Sequence, residues 1–160
     1  MPRSCLFYPQ VLQIIVFLAA CAHKPKATYP EALLWDQQVD TSLIAVIPYT
    51  RELFSGENKG NNTAATLTKD DMKRIEFLLT NCVQNNKDID LKNGKYKRQY
   101  VAVTNDKGEK IVWVNCFCHV DGFDWKKSIV MVSDGGSCYF NVEINLTRGE
   151  YNGFWVNGYA

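Results

Sequence analysis

The sequence is short of the parts that most enzyme chemistry needs. It has two histidines in 160 residues, His23 and His119, and contains no Gly-x-Ser-x-Gly elbow, no phosphate loop and no glycine-rich dinucleotide fingerprint. No catalytic residue and no cofactor is therefore expected. Charge of one sign is also missing, since 18 Lys and Arg stand against 17 Asp and Glu, and dropping residues 1 to 20 removes only Arg3. Basic residues gather at Lys92, Lys95, Lys97 and Arg98, but acids elsewhere offset them. Nothing resembles a stripe that would follow a phosphate backbone, which argues against nucleic acid as a partner. The apolar stretch from Val11 to Phe17, interrupted by Gln13, falls far below the roughly 20 residues of a spanning helix.

What is there begins with an export pattern. Arg3 supplies a positive start, the Val11 to Phe17 stretch follows, and Leu18-Ala19-Ala20-Cys21 comes directly after it. The polar, proline-containing Ala22-His23-Lys24-Pro25-Lys26 suits a tether. The expected division is a signal peptide over 1–20, a modified cysteine and tether over 21–30, and one globular domain over 31–160. A 46% hydrophobic and 12% aromatic composition fits a single folded core.

Leu-Ala-Ala-Cys resembles the lipobox of bacterial lipoproteins. That resemblance implies cleavage before Cys21, a diacylglycerol thioether on its sulfur and an acylated new amino terminus, so the membrane is a partner through lipid. Several acyl chains hold firmly where one holds marginally. In the sorting scheme of that class, a residue other than Asp after the cysteine, here Ala22, implies the outer membrane of the cell envelope.

The fold is expected to be α+β. Thr68 precedes Asp71 by three positions in a near capping box, and Met72, Ile75, Leu78, Leu79 and Cys82 recur at helical spacing, which predicts a helix over Lys69 to Gln84. Before it, Leu43 to Tyr49 reads as a strand that Pro48 confines to an edge or an end. After it the period becomes two. Strands are expected over Tyr96 to Thr104, Glu109 to His119, Ser128 to Ser133, Ser137 to Leu146 and Tyr151 to Val156, an antiparallel meander of about five. A helix followed by such a meander is similar to the cystatin or NTF2-like layout.

Alternation assigns the faces. Val112, Val114, Cys116 and Cys118, then Cys138, Phe140, Val142 and Ile144, with Val101, Val103, Phe154 and Val156, are expected to pack on the helix, with Cys82 facing them. The opposite face then carries Tyr100, Trp113, Asn115, Phe117, Tyr139, Asn141, Glu143 and Trp155. Trp113, Asn115, Tyr139, Asn141 and Trp155 are the candidate ligand-binding residues, because aromatic rings and amides on a rigid sheet stack on and hydrogen-bond to a sugar, a peptide or a protein. The competing expectation is that the segment from Tyr29 to Phe54, with Leu33, Leu34, Trp35 and Ile44, covers this face as a second layer.

Cys82, Cys116, Cys118 and Cys138 read either as core thiols or as disulfide partners, in three pairings among which spacing does not choose. Cys116, Cys118 and His119 have the residue types of a zinc site, yet His119 should point away from both thiols and the usual Cys-x2-Cys spacing is absent, so no metal is expected. The same geometry argues against a Cys–His catalytic pair.

Leu67-Thr68-Lys69-Asp70 through Cys82, Trp113-Val114-Asn115-Cys116-Phe117-Cys118, Asp134-Gly135-Gly136-Ser137-Cys138-Tyr139-Phe140 and Val156-Asn157-Gly158 together resemble small lipoproteins of Bacteroidetes-type bacteria. The resemblance implies an address and an architecture, and no catalytic residues. The expected function is a non-enzymatic envelope module that binds a protein, peptide or glycan. The alternative is an inhibitor or immunity-type protein against an extracellular hydrolase, and a hydrolytic enzyme ranks third.

Overall fold

The structure, a computed structural model, describes residues 39–54, 61–93 and 96–159. The leader, Cys21, the tether, Leu33, Leu34 and Trp35 lie outside the described residues. The elements are β1 (Ile44–Val46), β2 (Thr63–Ala64), α1 (Lys69–Val83), β3 (Lys97–Thr104), β4 (Lys110–Phe117), β5 (Tyr139–Asn145) and β6 (Glu150–Val156). The class is α+β, with one α-helix among the described residues and one six-stranded sheet.

The helix starts where its cap dictates. Thr68 Oγ1 accepts from the Asp71 amide at 3.1 Å, while the Asp71 carboxylate accepts from the Thr68 amide at 2.9 Å, a closed capping box. Ile75, Leu78, Leu79 and Val83 are buried against Val112, Val114, Cys116, Phe140, Val142 and Ile144 of the sheet. Burying each large aliphatic side chain here contributes about 1.5–3 kcal/mol.

Asp71 also ties the helix to β4 through Lys110 Nζ at 2.8 Å. Burial alone would raise its carboxyl, but hydrogen bonds from Lys110 and Thr68 outweigh that and hold it below its ordinary 3.8. A depressed folded-state value means that the stabilisation is present above 3.8 and is lost as pH falls through the folded-state value. Acid unfolding should therefore be less steep below 3.8 in Asp71→Asn than in the wild type, measured as urea stability against pH.

The sheet runs β1-β3-β4-β5-β6, with β2 on the same side of β3 as β1. Its four long strands are an antiparallel meander. The Asn105–Gly108 turn closes the first hairpin, with the Asn105 side chain accepting from the Lys107 and Glu109 amides. β1 lies outside the meander and makes the sheet mixed, since it pairs parallel to β3, Ile44 with Arg98 through Val46 with Tyr100. Three residues before Pro48 suffice for an edge strand.

Two further expectations are corrected. The predicted strand over Ser128 to Ser133 does not form, so the meander has four strands rather than five, and Asp134-Gly135-Gly136 is a turn into β5 rather than a hairpin. The second correction is a phase error on β3. Cross-strand partners share a face, and Tyr100 and Ala102 stand opposite Val114 and Val112 in the helix-side core, whereas Val101 stands opposite Trp113 on the other face. Tyr100, Val101, Ala102 and Val103 are all buried. A strand covered on both faces has no polar phase for alternation to detect.

Candidate functional site

The second face of the sheet is half closed and half open. Ala45 and Ile47, at the β1 edge, pack with Val101, Trp113, Tyr49, Trp125 and Ile129. Among the described residues, Ala45, Ile47 and Tyr49 thus close part of the face, and the long connection between β4 and β5 closes another part with Trp125 and Ile129.

A disulfide and two amides hold that connection down. Cys118 and Cys138 are bonded, with Cα atoms 5.1 Å apart and a sequence separation of 20. Inside the closed loop, Gln99 uses both ends of its amide. Its Nε2 donates to the Trp125 and Ser128 carbonyls at 2.6 and 2.7 Å, and its Oε1 accepts from the Val130 amide at 2.9 Å and from Asn115 Nδ2 at 3.1 Å. Asn115 Nδ2 also donates to the Val130 carbonyl at 2.7 Å. Gln99 is fully buried, so these bonds meet its whole requirement in place of water. Here lies the reason that Ser128 to Ser133 is no strand: side-chain amides take the hydrogen bonds that a ladder partner would supply.

By the chain-entropy estimate, closing a loop of this length is worth about 3 kcal/mol. Cys118→Ser with Cys138→Ser should lower the urea-unfolding free energy by about that much, and reductant should bring the wild type to the same midpoint. An unchanged midpoint in both experiments would show that the cross-link carries no stability.

One cross-strand row passes from the closed half to the open half. Gln99, Asn115, Asn141 and Trp155 are successive register partners on β3, β4, β5 and β6. Gln99 and Asn115 are buried, Asn141 is half-buried and Trp155 is 64% exposed. In the neighbouring row Glu143 stands opposite Asn152, both exposed. The register shift between Asn141 and Glu143 bends β6 here, with Gly153 at φ +54°. The loop leaves Val130 over Asn115 and reaches Val132, whose carbonyl accepts from Asn157 Nδ2. It therefore crosses toward β6 and borders the open strip with Met131, which is 85% exposed, and Val132.

The expected site residues are thus divided. Trp155 and Asn141 lie on the open strip. Trp113 is half-buried in the cluster with Val101, and Asn115 works inside the loop clamp. Tyr139 is half-buried and its hydroxyl donates to the His119 carbonyl at 3.0 Å, pinning the start of the loop. Sequence reasoning misses Gln99, whose only signal is an amide next to a run of four apolar strand residues, and Met131, which the apolar run assigns to a strand.

Reactive groups are few at this strip. Cys82 and Cys116 are free thiols packed in the helix-side core. Burial pushes the Cys82 thiol up to about 11 and the Cys116 thiol higher still, so both stay protonated. His119 contacts Asp121 at 3.0 Å on the surface. Among the described residues there is no group of three or more His, Cys, Asp and Glu that could hold a metal ion, and no helix long and apolar enough to cross a membrane. What the strip offers is an aromatic face, an amide and a carboxylate on a rigid support, which are the means of recognition. No family model, no curated protein and no solved structure matches the chain.

Proposed function

We propose that the chain is a lipoprotein of the bacterial cell envelope, anchored in the outer membrane through lipid on Cys21, that binds a protein, peptide or glycan without catalysing a reaction. The observation that carries the binding is the exposure of Trp155 on the strip with Asn141 and Glu143, in a sheet whose neighbouring half is sealed. A large aromatic ring on a rigid strand, beside an amide and a carboxylate, offers a stacking surface with hydrogen-bonding groups at its edge. Asn141 supplies one donor and one acceptor group, and Glu143 an acceptor, which suits hydroxyls or backbone amides beside a stacked ring. The layout of one helix over an antiparallel meander, shared with cystatin-like and NTF2-like folds, is part of the same reading.

The experiment is binding of the mature protein to glycan and peptide arrays, compared with Trp155→Ala and Asn141→Ala. Trp155→Ala should weaken the strongest interaction about thirtyfold, the size of an aromatic hot spot, without changing the unfolding midpoint. Equal binding by the variant would remove the strip from the reading. Labelled palmitate should enter the wild type in a producing bacterium and not Cys21→Ala. An unlabelled wild type would contradict the anchor.

An inhibitor of an extracellular hydrolase is a second reading, favoured by the disulfide-closed loop that projects Phe123 and Met131, 45% and 85% exposed. Slowing of a hydrolase that is lost in Met131→Ala with Phe123→Ala, and kept in Trp155→Ala, would establish it in place of the first.

A further inference from the structure

We infer that one corner of the domain, built from Lys97, Phe123, Trp125 and Lys126, docks on the anionic headgroups of the bilayer that holds the chain. The inference rests on the lipid-anchor reading above and adds to it the orientation of the domain.

Three observations place the corner. Because β1 runs parallel to β3, both strands start at one end of the sheet, where Ile44 lies beside Arg98. The described residues begin at Val39, five residues before β1, and Val39 packs against the helix-side core. β4 finishes there too, with Phe117 opposite Lys97, and launches the disulfide-closed loop. Trp125 of that loop stands edge-on to Phe117 with ring centroids 5.8 Å apart. Two ammonium groups flank its ring, Lys97 Nζ at 5.5 Å and Lys126 Nζ at 5.4 Å from the centroid.

Two lysines at the corner suit an anionic surface. Of the three acids in the loop, Asp121 is turned to the His119 ring at 3.0 Å and Asp124 to Lys127 at 2.9 Å, while Asp134 lies beside Asn157 past the end of β6, and the Asp40 carboxylate before β1 accepts from Ser42. Among the described residues neither Lys97 nor Lys126 pairs with a carboxylate, so both remain available to phosphates. The Asp88 and Asp90 carboxylates act on Tyr96, which is buried in the helix-side core. Phe123 is exposed at the tip beside a half-buried Trp125. Aromatic rings at headgroup depth with lysines reaching phosphate are the elements of an interfacial contact. A basic residue near an anionic surface strengthens binding about fivefold.

The test uses the full chain as a producing bacterium processes it, labelled with palmitate and reconstituted in two kinds of vesicle. One is equal parts phosphatidylglycerol and phosphatidylcholine, the other phosphatidylcholine alone. A water-soluble amine-acetylating reagent with mass-spectrometric readout should modify Lys97 and Lys126 several-fold more slowly on the anionic vesicles. Lys107, exposed in the turn at the far end of β3, should react equally on both. Lys126→Ala, which weakens the attraction to the anionic surface about fivefold, should return Lys97 toward its rate on the neutral vesicles, and Phe123→Ala should do so at unchanged thermal stability. Equal rates at Lys97 and Lys126 on the two vesicles, in protein that carries palmitate, would overturn the docking and leave the anchor standing. Absence of palmitate would overturn the anchor and the docking with it.

Discussion

Glu76→Leu is expected to lower the unfolding free energy by about 4 kcal/mol, the cost of breaking a buried pair by removing one partner. Glu76 accepts from the fully buried Tyr100 hydroxyl and lies 3.1 Å from Arg98 Nε, with the two charged side chains only 12% and 8% exposed. The Arg98–Glu76 contact is an ion pair off the line of the N–H, since that N–H has no hydrogen-bond acceptor. Arg98 Nη1 also donates to the Tyr96 carbonyl at 3.0 Å. Burial first, and the neighbouring Glu76 carboxylate second, push the Tyr100 phenol well above its ordinary range, so it remains the donor. Leucine at position 76 would strand a guanidinium and a hydroxyl inside the core. Adding Arg98→Met should recover part of the loss, because an apolar replacement of the whole pair removes the unpaired charge. Urea unfolding of the single and double variants measures both. A single variant within about 1 kcal/mol of wild type would mean that water reaches Arg98.

Gln99→Leu is expected to cost about 3 kcal/mol, with a local signature that Glu76→Leu lacks. Leucine fills the space, but the Trp125 and Ser128 carbonyls, the Val130 amide and Asn115 Nδ2 lose their shared partner. Each group left unsatisfied costs about 1–3 kcal/mol, and lifting of the loop to let in water recovers part of that. The disulfide limits how far it lifts, because both ends of the loop are fixed at Cys118 and Cys138. Hydrogen exchange should show the Val130 amide losing protection in this variant while Val112 and Val142, in the helix-side core, keep theirs. Unchanged protection at Val130 would mean that the loop is held by packing of Ile129 and Trp125 alone.

The helix-side half of the molecule was legible in the sequence because its signals are periodic. Thr68, Asp71, Ile75 and Leu79 mark the start and the buried stripe of α1, and the alternation of Val112, Val114 and Cys116 with Phe140, Val142 and Ile144 phases β4 and β5 correctly. β3 was not phased. Tyr100 to Val103 is buried on both faces, and the polar group that gives Tyr100 its direction, Glu76, is on another element.

The loop was misread for a related reason. Ile129, Val130, Met131 and Val132 have the composition of a strand, and what keeps them out of the sheet is a pair of amides distant in the sequence. The binding face was accordingly too broad in the sequence reading. Trp113 and Asn115 match Trp155 and Asn141 in residue type and in face, and only the folded loop separates a covered pair from an open one.

Tryptophan oxidation distinguishes a sealed half of the second face from an open one. In hydroxyl-radical footprinting read by mass spectrometry, Trp155 should oxidise several-fold faster than Trp113, in keeping with 64% exposure of the first and partial burial of the second. Gln99→Leu should accelerate oxidation of Trp113 and Trp125 toward the Trp155 rate. Equal rates at Trp113 and Trp155 in the wild type would contradict the account, since the loop would then not seal one half of the face and leave the other open.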